Sequence, residues 1–232
     1  MGSPISQHRI KIGQHVSFIS LLCIFCCISS PNAHAQNQPL VSYSLEQGLH
    51  QSQVWDFRQD KRGDMWLALF SGGISKFDGV SFTRFAHEGE LSEFAFQSQV
   101  IYEDRAGTLW FGTKNGLVQY DGVRVTTFTT SDGLPGNDVR SITEDGAGRL
   151  WLGTDNGLCA FSGTQCAQTP DERITDLAFK SLTRDQNGDL WVGTSTSGLF
   201  KVEKDQTIQW DKQSQLGTST IQSITFDGRT AI

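Results

Sequence analysis

The chain has 232 residues, with 19 Lys and Arg against 25 Asp and Glu, for a net charge of −6 at pH 7. An acidic chain of this kind lacks the excess positive charge that attracts nucleic acid or an anionic membrane surface, so composition argues against both partners. The length is ample for a sizeable hydrophobic core in an ordinary domain.

Residues 1–35 have the features of a secretory signal peptide. They contain no acid, and Arg9 and Lys11 precede an apolar run of 14 residues, Val16 to Ser29. Ala33-His34-Ala35 supplies a small-x-small cleavage pattern. We predict cleavage after Ala35 and a periplasmic location. The alternative is an uncleaved anchor, but its apolar core is short of the roughly 20 residues that a spanning helix needs.

The predicted mature part, residues 36–232, carries a net charge of −8 and contains a repeat of about forty residues. Four segments of the pattern Asp-x-x-Gly-x-(Leu/Met)-Trp recur, with their Trp residues 44, 41 and 40 positions apart. A fifth copy begins near Ile221. The repeated residues are Asp60, Gly63, Trp66; Asp104, Gly107, Trp110; Asp145, Gly148, Trp151; and Asp185, Gly188, Trp191. Such self-similarity indicates a repeat architecture.

Each unit is predicted to form four short strands, and the third unit shows the pattern. Val139–Thr143 alternates between two faces, and Asp145–Gly148 then forms a tight turn. Leu150–Thr154 is the second strand, and an Asn-Gly hairpin turn leads to the third strand, Leu158–Phe161. Ser162-Gly163 is predicted to turn the chain into the fourth strand.

Evenly spaced units of this kind, with no helical stretch between them, predict an all-β fold. Radial repetition into a β-propeller is the usual way for such units to bury both faces. We therefore predict a partial propeller of about four complete four-stranded blades plus the start of a fifth. The Trp residues are assigned to packing between blades, and the Asp and Gly residues to turns. No metal site or cofactor is expected, since each turn offers one Asp where an EF-hand-type loop needs several acids.

The repeat also resembles the two-component regulator propeller repeat. That pattern is Asp-x-x-Gly-x-Leu-Trp-x-Gly-Thr-x-x-Gly-Leu followed by aromatic-Asp-Gly, and the second unit matches it throughout, from Asp104 to Gly122. Tyr43–Leu49 is similar to the usual start of these sensor regions. The departures are expected to lie in turns, including Ala68-Leu69-Phe70 in the first unit, Ser162 in the third, and Val202-Glu203-Lys204 in the fourth.

The resemblance implies the periplasmic sensor region of a bacterial hybrid histidine kinase or diguanylate cyclase. A ligand or partner would bind on one face and shift the packing of two propellers, and a C-terminal membrane helix, missing from this chain, would relay the shift. A propeller homodimer is one expected assembly. The units are fewer than close a ring in this family, so the chain is interpreted as an N-terminal fragment without its output module. Two alternatives stay open: an exported propeller enzyme (a lyase or glycosidase) and a free-standing protein-interaction propeller.

No catalytic constellation is recognised, so enzymatic activity is not expected of this chain. After residue 35 the histidines are His50 and His87, and neither has a recognisable Ser or Cys partner motif. Paired carboxylates for glycoside hydrolysis stay open, because any two acids can meet across the blades.

The expected binding surface is the face that carries the loops between second and third strands and between blades. Aromatic side chains beside amides suit a small polar or saccharide ligand. The candidate binding residues are Phe70, Phe94, Phe96, Lys114, Asn115, Asp155 and Asn156.

Cys159 and Cys166 are a candidate disulfide. If Ser162-Gly163 is a two-residue turn, Cys159 lies opposite Cys166. Facing cysteines of an exported protein can oxidise. At a hydrogen-bonded position, with Cα atoms about 5.5 Å apart, a relaxed bridge is harder to form. A disulfide and two free thiols therefore both stay open.

Overall fold

A computed structural model describes residues 41–85, 97–168, 174, 176–203, 207–209 and 220–226. The predicted signal peptide and its cleavage site lie outside these residues. Within the described ranges, no helix is long and apolar enough to cross a membrane.

Four antiparallel sheets of four consecutive strands make up the described chain, and each sheet is one blade. Blade 1 contains β1 (Val54–Gln59), β2 (Met65–Leu69), β3 (Gly73–Phe77) and β4 (Phe82–Arg84). Blade 2 contains β5 (Ser98–Glu103), β6 (Leu109–Thr113), β7 (Gly116–Tyr120) and β8 (Val125–Phe128). Blade 3 contains β9 (Val139–Glu144), β10 (Leu150–Thr154), β11 (Gly157–Phe161) and β12 (Cys166–Gln168). Blade 4 contains β13 (Phe179–Arg184), β14 (Leu190–Thr194), β15 (Leu199–Val202) and β16 (Thr207–Gln209).

Neighbouring blades meet through their first strands, because β1 contacts β5, β5 contacts β9, and β9 contacts β13. The chain then starts a fifth unit. The Ile221 N–H donates to the Thr194 carbonyl at 3.0 Å, and Ile221 and Ile224 pack against Trp191. The all-β, partial propeller that the repeat predicts is confirmed.

Two short 3₁₀ turns introduce blades 1 and 3. Leu45–Gln47 follows Ser44, and Thr130–Asp132 follows Thr129, each closed by a reciprocal capping box and a left-handed glycine. The leucine after each glycine is buried, Leu49 at 7 % exposure and Leu134 at 4 %. These local turns fix where the chain enters the two blades.

The repeated Trp side chains lie between blades. Trp66 of blade 1 packs with Phe111 of blade 2, and Trp110 of blade 2 packs with Phe161 of blade 3. Trp151 packs against the blade 4 core, and Trp191 packs against the fifth unit. The Trp side chain of each blade therefore packs against the blade or unit that follows it.

The repeated Asp holds this Trp as well as the turn. In blade 1, Asp60 Oδ1 accepts from the backbone N–H groups of Arg62 and Asp64 at 2.9 and 3.0 Å. Asp60 Oδ2 accepts from Trp66 Nε1 at 3.0 Å. The same indole–carboxylate bond measures 2.8, 3.4 and 3.0 Å in blades 2, 3 and 4. We call this arrangement the Asp–Trp clamp.

Burial alone would raise the pKa of Asp60. The hydrogen bonds from Trp66 and from the backbone of Asp64 and Arg62 outweigh that effect and hold the pKa below its ordinary value.

Each first strand contains a β-bulge at the same repeat position. The register shifts leave one extra residue in each strand, namely Trp55, Gln99, Arg140 and Lys180. Strict alternation over Val139–Thr143 is therefore wrong: Ser141 and Ile142 are consecutive and both buried. A bulge re-aims a side chain, and here it does so on the strand by which the blades meet.

The cysteine hairpin differs from its predicted register. Ser162 N–H donates to the Gln165 carbonyl at 3.0 Å, and Phe161 pairs with Cys166 while Cys159 pairs with Gln168. Ser162 therefore faces Gln165, and the turn is centred on Gly163-Thr164, one residue later than predicted. Placing Cys159 directly opposite Cys166 is wrong for this reason. The two cysteines are diagonal neighbours on one face, with Cα atoms 5.6 Å apart and their Sγ atoms in contact.

Candidate ligand-binding face

In each blade, the residues immediately before the first strand form what we call the lead-in segment. The turn between the second and third strands lies beside the lead-in segment of its own blade. The turn's backbone N–H donates to a lead-in carbonyl in every blade. The bonds are Phe70 to Gln53 (2.9 Å), Lys114 to Gln97 (3.3 Å), Asp155 to Asp138 (3.1 Å) and Ser195 to Ala178 (2.9 Å). Turns and lead-in segments therefore share one face, which we call the turn face.

A cleft of about 120 Å³ opens on the turn face between blades 1 and 2. Blade 1 contributes its bulge residue and its turn, and blade 2 contributes its lead-in segment, bulge residue and turn. The lining residues are Trp55, Leu69, Phe70, Ser71, Gln97, Ser98, Gln99 and Lys114. The cleft thus brings together two predicted binding residues, Phe70 and Lys114.

An exposed aromatic pair forms one side of the cleft. The rings of Trp55 and Phe70 are stacked at 5.6 Å with an interplanar angle of 17°, and they are 43 % and 42 % exposed. By contrast, Trp66 of the repeat is 1 % exposed. Trp55 therefore presents an aromatic surface to solvent instead of filling the core.

The cleft coincides with a departure from the repeat. In blade 2, Thr113 Oγ1 donates to the Gly116 carbonyl at 2.8 Å and accepts from the Asn115 N–H at 3.0 Å. Blade 1 has Leu69 at this position, and its turn contains Ser71 with φ of 54°. Ser71 is the one non-glycine residue with positive φ in the described ranges. Such strained conformations cluster at binding sites.

Polar groups complete the cleft. The Ser98 hydroxyl is buried, with the residue 1 % exposed, and it has no hydrogen-bond partner among the described residues. Buried hydroxyls normally have a partner, so Ser98 is an unpaired polar group in the lining of the cleft. Gln99 Nε2 donates to Asp138 Oδ1, and Asp138 Oδ2 also accepts from Arg140 Nε at 2.9 Å. This network fixes the Gln99 amide.

Asp56, next to the bulge, joins the two blades through its carboxylate. Its Oδ2 accepts from the Ile101 N–H at 2.8 Å. Burial raises the pKa of Asp56, and the bonds from Ile101 and Phe57 offset only part of that rise. Asp56 does not line the cleft, so its role there is to hold β1 against β5.

The other predicted binding residues are placed elsewhere. Asn156 Nδ2 donates to the Pro135 carbonyl at 3.1 Å, and Asp155 Oδ1 accepts from the Asp138 N–H at 3.3 Å. These two side chains support the blade 3 turn, and the cleft does not include them or Asn115. Phe94 and Phe96 lie outside the described residues.

Sequence reasoning missed six lining residues, Trp55, Leu69, Ser71, Gln97, Ser98 and Gln99. One signal was available: the position of Trp55 carries Gln, Arg or Lys in the other three repeats, so its aromatic character is not part of the repeat. Within the described chain, no group of three or more His, Cys, Asp or Glu side chains is placed to hold a metal ion.

Two solved structures show what the fold resembles. The extracellular domain of a hybrid two component system from B. thetaiotaomicron is 22 % identical with a TM-score of 0.59, over 67 % of this chain and 22 % of that chain. Virginiamycin B lyase from Staphylococcus aureus is 13 % identical with a TM-score of 0.51, over 66 % of this chain and 53 % of the lyase. These likenesses concern the propeller fold alone. This chain spans about a fifth of the length of the first structure.

The family comparison is specific to the repeats. No curated protein sequence matches the chain. The two component regulator propeller model matches residues 97–115, 133–156 and 173–196. Each match begins just before or within a lead-in segment and runs to the turn face of its blade. These in-phase matches show that the chain carries two component regulator propeller repeats in blades 2, 3 and 4.

Proposed function

We propose that this chain is the ligand-sensing propeller of an extracytoplasmic two-component signalling receptor. The observation that carries the proposal is the cleft on the turn face, where Trp55 and Phe70 are exposed as a stacked pair beside Lys114. The regulator propeller repeats and the predicted signal peptide support an exported receptor. A histidine kinase is the expected output module of the parent protein, with a diguanylate cyclase as the alternative.

The chemistry of the cleft favours holding a ligand over converting it. Among its described lining residues, Lys114 is the one ionisable side chain, and none is His, Asp, Glu or Cys. A hydrolase or lyase site needs a positioned general base or a nucleophile with its activating partner. The fold likeness to a lyase does not supply those groups, so binding is the better proposal.

The position of the cleft gives binding a mechanical consequence. A ligand that contacts Phe70 and Lys114 together contacts both blade 1 and blade 2. It therefore stabilises one spacing of these blades, and it shifts the receptor only as far as its affinity differs between the two signalling states. The Asp56–Ile101 bond and the Lys61 Nζ bond to the Arg105 carbonyl, at 2.7 Å, would transmit that spacing between blades.

Cell fractionation with protease access tests the proposal. Antibodies raised against the purified chain should detect, in native cells, a polypeptide larger than 25.6 kDa in the membrane fraction. Protease added to spheroplasts should destroy the epitope while a cytoplasmic control protein survives. A protected, cytoplasmic polypeptide would contradict export. A soluble periplasmic polypeptide of less than 25.6 kDa would contradict the receptor and favour a free-standing propeller.

A further inference from the structure

We propose that the cleft between blades 1 and 2 binds a uronic acid residue, a six-membered sugar ring that carries a carboxylate. Lys114 would pair with the carboxylate, the Trp55–Phe70 pair would pack against the C–H face of the ring, and the amides and Ser98 would meet its hydroxyls. The assignment rests on the proposed function only for its biological use, because binding itself is a property of this chain.

The aromatic pair favours a ring with an apolar face. Trp55 and Phe70 are stacked nearly parallel, and both rings line one side of the cleft. Each keeps about two fifths of its surface in water, so covering them removes apolar area that folding leaves exposed. A sugar ring offers such a face on one side and hydroxyls around its rim.

The cation favours a carboxylate. Lys114 is exposed, and its ammonium has no hydrogen bond or ion pair within the described part of the chain. Three other lysines are occupied: Lys61 donates to two backbone carbonyls, and Lys76 and Lys201 form ion pairs. Since Lys114 is the one charged side chain lining the cleft, an anionic group on the ligand would meet no competing carboxylate there.

The polar lining favours a sugar acid over an aromatic acid. Ser98 brings a buried hydroxyl without a partner, and Gln97 and Gln99 bring amides that donate and accept. Gln99 is oriented by Asp138, which also pairs with Arg140 at 2.5 Å. Arg140 is therefore already neutralised, which leaves Lys114 as the cation for the ligand.

The volume limits the ligand to one ring. About 120 Å³ is well below the roughly 300–1,000 Å³ of pockets that enclose a drug-sized ligand. The cleft would hold a terminal residue or a side branch of a longer acidic saccharide, with the remaining residues outside it.

Saturation-transfer NMR titration of the purified chain with three small probes tests the assignment. The probes are D-galacturonate, D-galactose and cyclohexanecarboxylate. D-galacturonate should bind about tenfold more tightly than D-galactose, which has the same ring without the carboxylate, because hydrogen bonds to charged groups are the stronger ones. Lys114→Gln should lower the galacturonate affinity to that of galactose and leave galactose unchanged. Phe70→Ala should weaken both sugars.

Matched controls separate the cleft from general effects. Arg124→Gln removes one exposed cation from the β7–β8 turn of the same blade, and Phe57→Ala removes a side chain that is 56 % exposed and does not line the cleft. Both variants should bind galacturonate as the unmodified chain does. Far-UV circular dichroism should show that every variant keeps its sheet content.

Three patterns of binding would overturn the assignment, as would a complete absence of binding. These are equal affinities for galacturonate and galactose, no effect of Lys114→Gln, or cyclohexanecarboxylate binding as tightly as galacturonate, which would mean that the hydroxyls contribute nothing. Failure of all three probes to bind would also overturn it. None of these outcomes touches the membrane fractionation result, so the receptor proposal would be judged separately.

Discussion

Replacing Asp60 with asparagine should lower the free energy of unfolding by about 3 kcal/mol. Its two oxygens accept from the Trp66 indole on one side and from two turn N–H groups on the other. An amide has a single oxygen, so either orientation places its NH₂ group against a donor. Asp60 is 6 % exposed, so water cannot replace the lost acceptor. A buried unsatisfied donor costs about 1–3 kcal/mol, and a charge-assisted bond contributes about 1.5–3.

A double-mutant cycle isolates the clamp. Trp66→Phe keeps an aromatic ring against Phe111 and removes the indole donor, at an expected cost of about 2 kcal/mol. The double mutant Asp60→Asn/Trp66→Phe should lose about 1–2 kcal/mol less than the sum of the two single-mutant losses, because both substitutions remove the same bond. Urea unfolding followed by far-UV circular dichroism measures all four proteins.

The control is Asp78→Asn. Asp78 also caps a turn, accepting from the Val80 and Ser81 N–H groups at 2.8 Å, but it has no indole partner. Its replacement should lower the free energy of unfolding much less than that of Asp60 does. Additivity of Asp60→Asn and Trp66→Phe within about 0.5 kcal/mol, or an equal loss for Asp78→Asn, would refute the clamp.

Three further outcomes are expected. Gly112→Ala should cost about 1–3 kcal/mol, because a Cβ there would lie 2.6 Å from the Val139 carbonyl oxygen; an unchanged urea midpoint would contradict this. Cys159 and Cys166 should form a disulfide in exported protein, so alkylation and mass spectrometry should find two blocked thiols that reductant releases, whereas two alkylatable thiols without reductant would exclude it. Burial raises the pKa of Asp145, but hydrogen bonds within its turn lower it overall. Its contribution to stability is therefore complete above about pH 4 and is lost as the pH falls further. In urea titrations at several pH values, Asp145→Asn should reduce the loss of unfolding free energy that occurs as the pH falls. An unchanged loss of unfolding free energy would contradict the assignment.

The repeat predicted the blades because its signals are local. An Asp and a Gly three residues apart close a turn wherever they occur, and Asn-Gly favours a hairpin. The strands around Trp151 therefore begin and end within a residue of their predicted bounds. The indole contact of Asp145 was also accessible, since Asp and Trp recur six residues apart in every unit, but sequence reasoning assigned the Asp to the turn alone.

The bulges and the cysteine register could not be predicted because cross-strand pairing determines them. The bulge position carries Trp55, Gln99, Arg140 and Lys180, which share no residue type. Ser162-Gly163 suggests a two-residue turn by composition, yet the register centres the turn on Gly163-Thr164.

The site was predicted in part for the same reason. Phe70 and Lys114 were assigned to one face because of their repeat positions, and they meet because blades 1 and 2 are adjacent. Trp55 was missed, since without the bulge a first-strand residue is not expected to reach the turn face. Asp155 and Asn156 occupy equivalent turns but bond to their own lead-in segment. Repeat position thus identifies the face, while differences between repeats locate the cleft.

The most direct test of the sensor role is a transcript profile of native cells that carry altered versions of this gene. In-frame deletion of the codons for residues 41–226 should abolish the inducible expression of a defined gene set. Trp55→Ala on the chromosome should reproduce that loss, and Phe57→Ala should leave induction intact. An unchanged transcript profile after the deletion, or full induction with Trp55→Ala, would contradict a receptor that senses its ligand through this cleft.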